Sequence, residues 1–373
     1  MPRTPVRSRT ASARAPRTAA PPVLVEVHRG PVVESRHRGH VVHVAQDGAV
    51  QHALGDPDVV VNLRSSVKPF TLVALVESGA AEEFTLTPPE LAVMAASHSG
   101  EDLHVRTLQA VFRRAMLSPA LLRCGSEGMP LDAVTAARLC RDSEKPGPLR
   151  HMCSGFHTAS ILLSKHAGWS LEDYDSPTHP SQVAARDAVA RVFGVDPEEL
   201  VGAIDACGLP TYAFPLRSIA RGYATLADPG GADPPLPAAT ADALVRIGDA
   251  MMAAPELVGG TRDRLDTAVM KTRPGRLVAK GGAEGLLGVA LLAGARGEGS
   301  RPAGLALKVE DGDNDGRASR AAGVEALRQL GVLDEAAVER LAPFHRPGLF
   351  APDGTQVGEA VPGFGLAPLG ELT

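Results

Sequence analysis

Strand-like runs stand at both ends of the chain with helical ones between them, and that order constrains the fold more than any other feature. Val23-Leu24-Val25-Glu26-Val27 opens as a strand, 41–44 follows, and Asp47-Gly48 turns the chain so that 48–54 returns. The period then changes. Residues 70–78 carry apolar side chains at helical spacing and stop at Gly79, a natural C-terminal cap. Thr87-Pro88-Pro89-Glu90 is a capping box with proline at the first helical position, which predicts a helix to about Ala96. Further helices are expected over 103–117, 130–140, the segment after Gly155, and 184–193. Apolar runs at 285–293 and 302–309, separated by Gly-Glu-Gly-Ser, predict a late hairpin, and helices over 317–330 and 334–341 close the chain. The expectation is an α+β fold whose antiparallel sheet is assembled from both chain ends around a helical middle.

With 373 residues and 44% hydrophobic composition there is ample material for a core. There is no internal repeat and no linker after Pro22, so one catalytic domain is expected over 23–373. Residues 1–22 are rich in Arg, Ala and Pro and contain no acid, the composition of a disordered basic tail. A net charge of −5 suggests neither a nucleic-acid groove nor a membrane-seeking surface. The longest apolar run, 285–294, is far short of the roughly 20 residues of a membrane helix. Cys124, Cys140, Cys153 and Cys207 form no CxxC pair and fit reduced thiols in the cytoplasm.

The sharpest local signal is Arg64-Ser65-Ser66-Val67-Lys68-Pro69. Ser65 and Lys68 stand three positions apart, on one face of a helix, and a lysine held neutral can remove a serine proton. Alone, such a tetrad arises often by chance, and a serine at a helix start is usually only a cap. Ser97-His98-Ser99-Gly100-Glu101 is a polar turn after the Thr87 helix, and Lys280-Gly281-Gly282 leads into a strand. Ser-x-x-Lys, Ser-x-Ser and Lys-Gly-Gly in that order parallel the three motifs of the penicillin-recognising acyl-transfer enzymes. The parallel is incomplete, lacking Asn in the second motif and Thr or Ser in the third. Cys153, beside His151 and His157, and Cys207, beside Asp205, are either zinc ligands or inert buried thiols.

Together these stretches resemble the asparaginase II family of rhizobial type. The matching residues include Arg29-Gly30, Glu34-Ser35, His37-Arg38-Gly39, the Arg64–Pro69 and Ser97–Glu101 segments, and Cys153-Ser154-Gly155. They continue through His179-Pro180 and Gln182, Asp205 with Cys207-Gly208 and Pro210, Asp266-Thr267, Lys280 with 282–285, and 308–312. The resemblance implies a fold like the serine β-lactamases and glutaminases, and hydrolysis of L-asparagine to aspartate and ammonia. It implies two Ser-Lys tandems: Ser65 with Lys68 as nucleophile and base, and Ser97 with Lys280. Lys280 would keep its partner lysine neutral by repulsion and polarise Ser97 for proton relay. Substrate contacts are expected from Arg64, His98, Asp205 and His157, with Arg64 and Asp205 pairing at the rim. A homodimer is also implied, and no organic cofactor.

One departure concerns metal. The family's zinc is held by two cysteines and a lysine, and here the lysine position is Phe156, leaving Cys153 and Cys207. A phenyl ring cannot coordinate zinc. Two alternatives stand beside the asparaginase reading. One is a serine hydrolase acting on glutamine or another small amide, and the other is a non-catalytic amino-acid-binding relative.

Overall fold

The computed structural model describes residues 20–125, 128–314 and 316–368. The expected basic tail lies outside the described residues up to residue 19, as do residues 369–373 of the expected domain.

Apolar runs from the two chain ends find each other across the sequence. The early strands are Val23–Arg29 (β1), Val32–Ala45 (β2), Val50–Leu54 (β3) and Val60–Asn62 (β4). Mid-chain come Val201–Ile204 (β5) and Pro210–Pro215 (β6). The late ones are Leu277–Gly282 (β7), Leu286–Leu291 (β8), Ala303–Val309 (β9), Gly348–Phe350 (β10) and Gln356–Pro362 (β11). Eight of them form one sheet in the order β10-β11-β1-β2-β9-β8-β7, with β3 also paired to β2. Every pairing is antiparallel, and Val42 of β2 faces Ala306 of β9 across the seam where the two chain ends meet. A small sheet, β4-β6-β5, stands apart.

Helices fill the middle as the periodicity predicts. The capping box is made: Thr87 N donates to Glu90 Oε2 at 2.8 Å, and the helix runs Pro88–Met94. The expected helix over 70–78 is interrupted, as Lys68–Thr71 and Val73–Glu77, and ends at Gly79 with φ +86°. Two sequence expectations are corrected. β2 begins at Val32 rather than near residue 41, because its polar first half pairs with β1, Val27 facing Ser35. The chain does not close with helices, since β10 and β11 follow, and β11 lies along β1 with Val27 facing Ala360. Only Ala360 of β11 is buried, so its place is set by a distant partner rather than by its own pattern.

One apolar cluster joins sheet residues Val42, Val289 and Leu305 to Met94, Ile161 and Val189 of the helices. The helix Leu216–Ala227 lies on β9, and there the backbones almost touch: a β-carbon on Gly304 would sit 1.8 Å from the Ala220 carbonyl oxygen. The same helix carries Tyr223, whose hydroxyl donates to the Ser66 carbonyl at 3.0 Å. Packing of helix on sheet thereby fixes the turn that holds Ser65.

Candidate active site

Three segments distant in sequence converge where β7 meets the helical region. The first is the 3-10 turn Arg64–Val67. Arg64 has φ +47°, a left-handed conformation that costs a non-glycine residue about 1–3 kcal/mol. Its guanidinium grips one carboxylate oxygen of Asp205, through Nε at 3.1 Å and Nη2 at 2.8 Å, which holds the strained turn in place. The second segment follows the Pro88–Met94 helix. Ser97 N donates to Val258 O at 3.2 Å, His98 N to Met152 O at 3.1 Å, and Ser99 N to Gly259 O at 2.8 Å. Glu101 locks this run by accepting from Ser99 Oγ and from Thr261 N, both at 2.7 Å. The third is β7, which delivers Lys280 from the sheet.

These segments bring the four expected catalytic residues together, with Lys280 beside Ser97 as expected and Lys68 beside Ser97 rather than Ser65. Lys68 and Lys280 are fully buried, at 1% and 0% exposure. Both amino groups reach the same hydroxyl: Lys68 Nζ and Lys280 Nζ each lie 3.0 Å from Ser97 Oγ. Lys68 also donates to Ala96 O at 2.8 Å, and Lys280 to Gly281 O at 2.6 Å. Ser65 Oγ has no hydrogen-bond partner among the described residues; it borders the cavity instead. Lys68 thus bonds to Ser97 rather than to Ser65, since the 3-10 turn does not present the pair as a regular helix would.

Burial dominates the electrostatics. It pushes Lys280 down to about 7, opposed by the Asp266 carboxylate and reinforced by the charges of Lys68 and Arg264. Lysine near 7 is half neutral at neutral pH, which suits proton exchange with Ser97. Burial also keeps two histidines neutral, His98 far below its ordinary value and His157 down to about 4.

Around Lys68 lies the thiol pair. Its Nζ is 3.1 Å from Cys153 Sγ. The neighbouring Cys207, with Lys68 adding to it, pushes the Cys153 thiol well down, while Cys207 is pushed up. The Phe156 ring stands where the zinc-binding lysine is expected, its centre 5.5 Å from Lys68 Nζ. Among the described residues no three His, Cys, Asp or Glu side chains gather to hold a metal. Two thiols, an ammonium and a phenyl ring are not a zinc donor set, so Cys153 and Cys207 do not fit the expected metal site.

A cavity of about 250 Å³ opens onto the two serines. That is smaller than the roughly 300–1,000 Å³ of drug-sized pockets and suits a small metabolite. Ser65, Ser97, Met152, Arg264, Asp266 and Gly281 are among its lining residues. Of the four expected substrate contacts, Arg64 and Asp205 do pair, but neither is among the residues lining the cavity. His98 is wholly enclosed: its Nδ1 accepts from Gly100 N at 3.1 Å and its Nε2 meets Ser154 Oγ at 2.9 Å. His157 is equally enclosed, bonded to Tyr174 Oη at 2.8 Å. Neither histidine borders the cavity: both His98 nitrogens are taken by protein groups, and the His157 ring is held in the interior through Nδ1 alone. Sequence reasoning gave no role to Arg264 or Asp266. Asp266 had one signal, the matching stretch Asp266-Thr267 without a chemical assignment, and Arg264 had none.

A family model described as L-asparaginase II matches residues 25–362. None of the curated proteins is a significant match. Among solved structures, Mglu in its tris and glutamate form shares 16% identity at a TM-score of 0.34, over 84% of this chain and 64% of that one. A probable glutaminase from Bacillus subtilis, complexed with 6-diazo-5-oxo-L-norleucine, shares 12% identity at a TM-score of 0.36. That likeness covers 76% of this chain and 80% of the other. The chain spans less than two thirds of Mglu, and likeness this loose carries no argument.

Proposed function

The chain belongs to the L-asparaginase II family, and we propose that it is an amidohydrolase converting L-asparagine and water to L-aspartate and ammonia through an acyl-serine intermediate. The observation that carries this reading is Ser97 Oγ held 3.0 Å from two buried lysine amino groups beside a Ser65 hydroxyl without a hydrogen-bond partner among the described residues, on one cavity. Ser65 Oγ attacks the side-chain amide carbon, and its proton passes to Lys68. Lys68 hands a proton to Ser97, which donates its own to neutral Lys280; reversing the relay protonates the leaving ammonia. Water then cleaves the β-aspartyl ester, with the same groups accepting its proton. No step needs zinc.

The reading extends to one catalytic domain from residue 23 onward and to a homodimer in the cytoplasm. Four free thiols support a reducing compartment. Sedimentation of the purified protein tests the dimer, and a monomer at assay concentration would remove that part.

Ammonia release from L-asparagine and L-glutamine, measured for the native protein, Ser65→Ala and Ser97→Ala, tests the chemistry. Release by the native protein with a loss of about 10³-fold or more in Ser65→Ala is expected. Rapid quenching followed by peptide mass analysis should find the acyl group on Ser65. An acyl group on Ser97 would transfer the nucleophile there, and no ammonia from either amide would end the asparaginase reading.

A further inference from the structure

Asp266 has a carboxylate oxygen that the protein leaves unused. The residue starts the helix Leu265–Thr272, is 5% exposed and borders the cavity. Its Oδ1 accepts from Gly281 N at 3.2 Å, while Oδ2 is buried with no hydrogen-bond partner among the described residues. The nearest cations, Arg264 Nη2 at 3.6 Å and Lys280 Nζ at 3.9 Å, are both beyond hydrogen-bond length. Lys280 Nζ is engaged elsewhere, 3.0 Å from Ser97 Oγ and 2.6 Å from Gly281 O. An acceptor in this state costs free energy unless something from outside completes it.

Arg264 has the complementary surplus. Its Nη1 donates to Gly259 O at 3.0 Å, and its other N–H groups make no hydrogen bond among the described residues. It borders the same cavity. Arg320 also borders it, but its Nη1 is held by Asp263 at 2.7 Å. Asp266 and Arg264 therefore stand as an ion pair at 3.6 Å with no hydrogen bond between them, near enough to serve one ligand.

We propose that Asp266 Oδ2 receives the α-ammonium, and the Arg264 guanidinium the α-carboxylate, of an α-amino acid whose side-chain amide reaches the serines. The assignment rests on the amidohydrolase reading above and narrows it: the substrate class is zwitterionic amino-acid amides, not simple amides or cyclic lactams. Without an ammonium group a ligand leaves Oδ2 buried and unpaired, so rejection is built into the site.

The test compares L-asparagine with succinamate, the same molecule lacking only its α-amino group. Native kcat/KM should favour asparagine by at least about 100-fold. In Asp266→Asn, where the new side chain can still accept from Gly281 N, asparagine should lose about 100-fold and succinamate less than about 3-fold. Equal losses for both substrates would mean that Asp266 acts only on Lys280, and no loss would mean that it is structural; either overturns the proposal. Gly281→Ala guards against a variant that fails to fold. Its added β-carbon would lie 3.2 and 3.7 Å from the Asp266 oxygens, so it too should impair asparagine more than succinamate.

Calorimetric binding of L-aspartate and succinate to the native protein and to Asp266→Asn needs no turnover. Aspartate should bind the native protein and lose affinity in the variant, with succinate indifferent to the change. If no amide is hydrolysed yet this difference holds, the amidohydrolase reading fails and the subsite stands. If aspartate and succinate bind alike, the subsite fails.

Discussion

A single side chain, Lys280, sets the pH behaviour expected of this protein. It faces Ser97, Lys68, Asp266 and Arg264, and burial holds it at about 7. Only its neutral form accepts a proton from Ser97, so kcat/KM for asparagine should climb with pH to a plateau, with a midpoint about 7. Lys280→Ala should abolish that limb and lower the rate by about 10²–10⁴-fold; an unchanged limb would assign it to another group. The same residue predicts a stability trend. Its folded value lies below the roughly 10.4 of a free lysine, so between about 7 and about 10.4 the unfolded chain binds more protons. Its contribution to stability is therefore least below about 7 and grows as pH rises through that window. Thermal midpoints against pH should rise less steeply in Lys280→Met. Phe156 is the residue on which metal turns. Elemental analysis of the purified protein should find zinc well below one per chain, and Phe156→Lys should raise it. Stoichiometric zinc in the native protein would contradict the poor fit of the thiol pair.

At the scale of elements, the critical device is the clasp between the Ser97–Glu101 run and the 258–261 loop. Gly260 has φ +151°, and a β-carbon there would fall 2.1 Å from Ser99 Oγ and 2.6 Å from Glu101 Oε1. Gly260→Ala should shift the run that carries Ser97 and lower kcat by about 10–100-fold, since misplacement near 1 Å has that effect. Steady-state kinetics beside a thermal melt would separate this from unfolding: a large fall in kcat with a small fall in midpoint is expected. A variant with native kcat would show that the clasp does not position Ser97.

Over the whole molecule, sheet and helical region meet at one seam, and the candidate site lies there because each side supplies part of it. Lys280 comes from the sheet, while Ser65, Lys68 and Ser97 come from the helical side. The helix Leu216–Ala227 couples the two, resting on Gly304 and tying Tyr223 to Ser66. Gly304→Val would force that helix off β9 and should destabilise the protein by about 2–3 kcal/mol or more. Urea unfolding measures this directly, and an unmoved midpoint would mean that the close approach is not structural.

Sequence alone determined what depends on local chemistry. The capping box at Thr87, the stop at Gly79, the hairpin at Asp47-Gly48 and the β8–β9 pair are written in short-range patterns, because caps and turns are satisfied within a few residues. It also named the two serines and two lysines, since acyl-transfer chemistry leaves a residue-type signature in a fixed order. Tertiary structure decided what depends on partners far along the chain. β11 buries only Ala360 and takes its place as a strand along β1, far from it in sequence. Ser97 rather than Ser65 takes both lysines, because the helix after the Arg64–Val67 turn and the edge strand β7, far apart in sequence, deliver Lys68 and Lys280 to the same hydroxyl. His98 and His157 left the candidate site for the same reason: a histidine's neighbours in space, not in sequence, decide whether its nitrogens are spent. Asp266 and Arg264 entered it because an unfilled hydrogen bond exists only once every other group has taken its place.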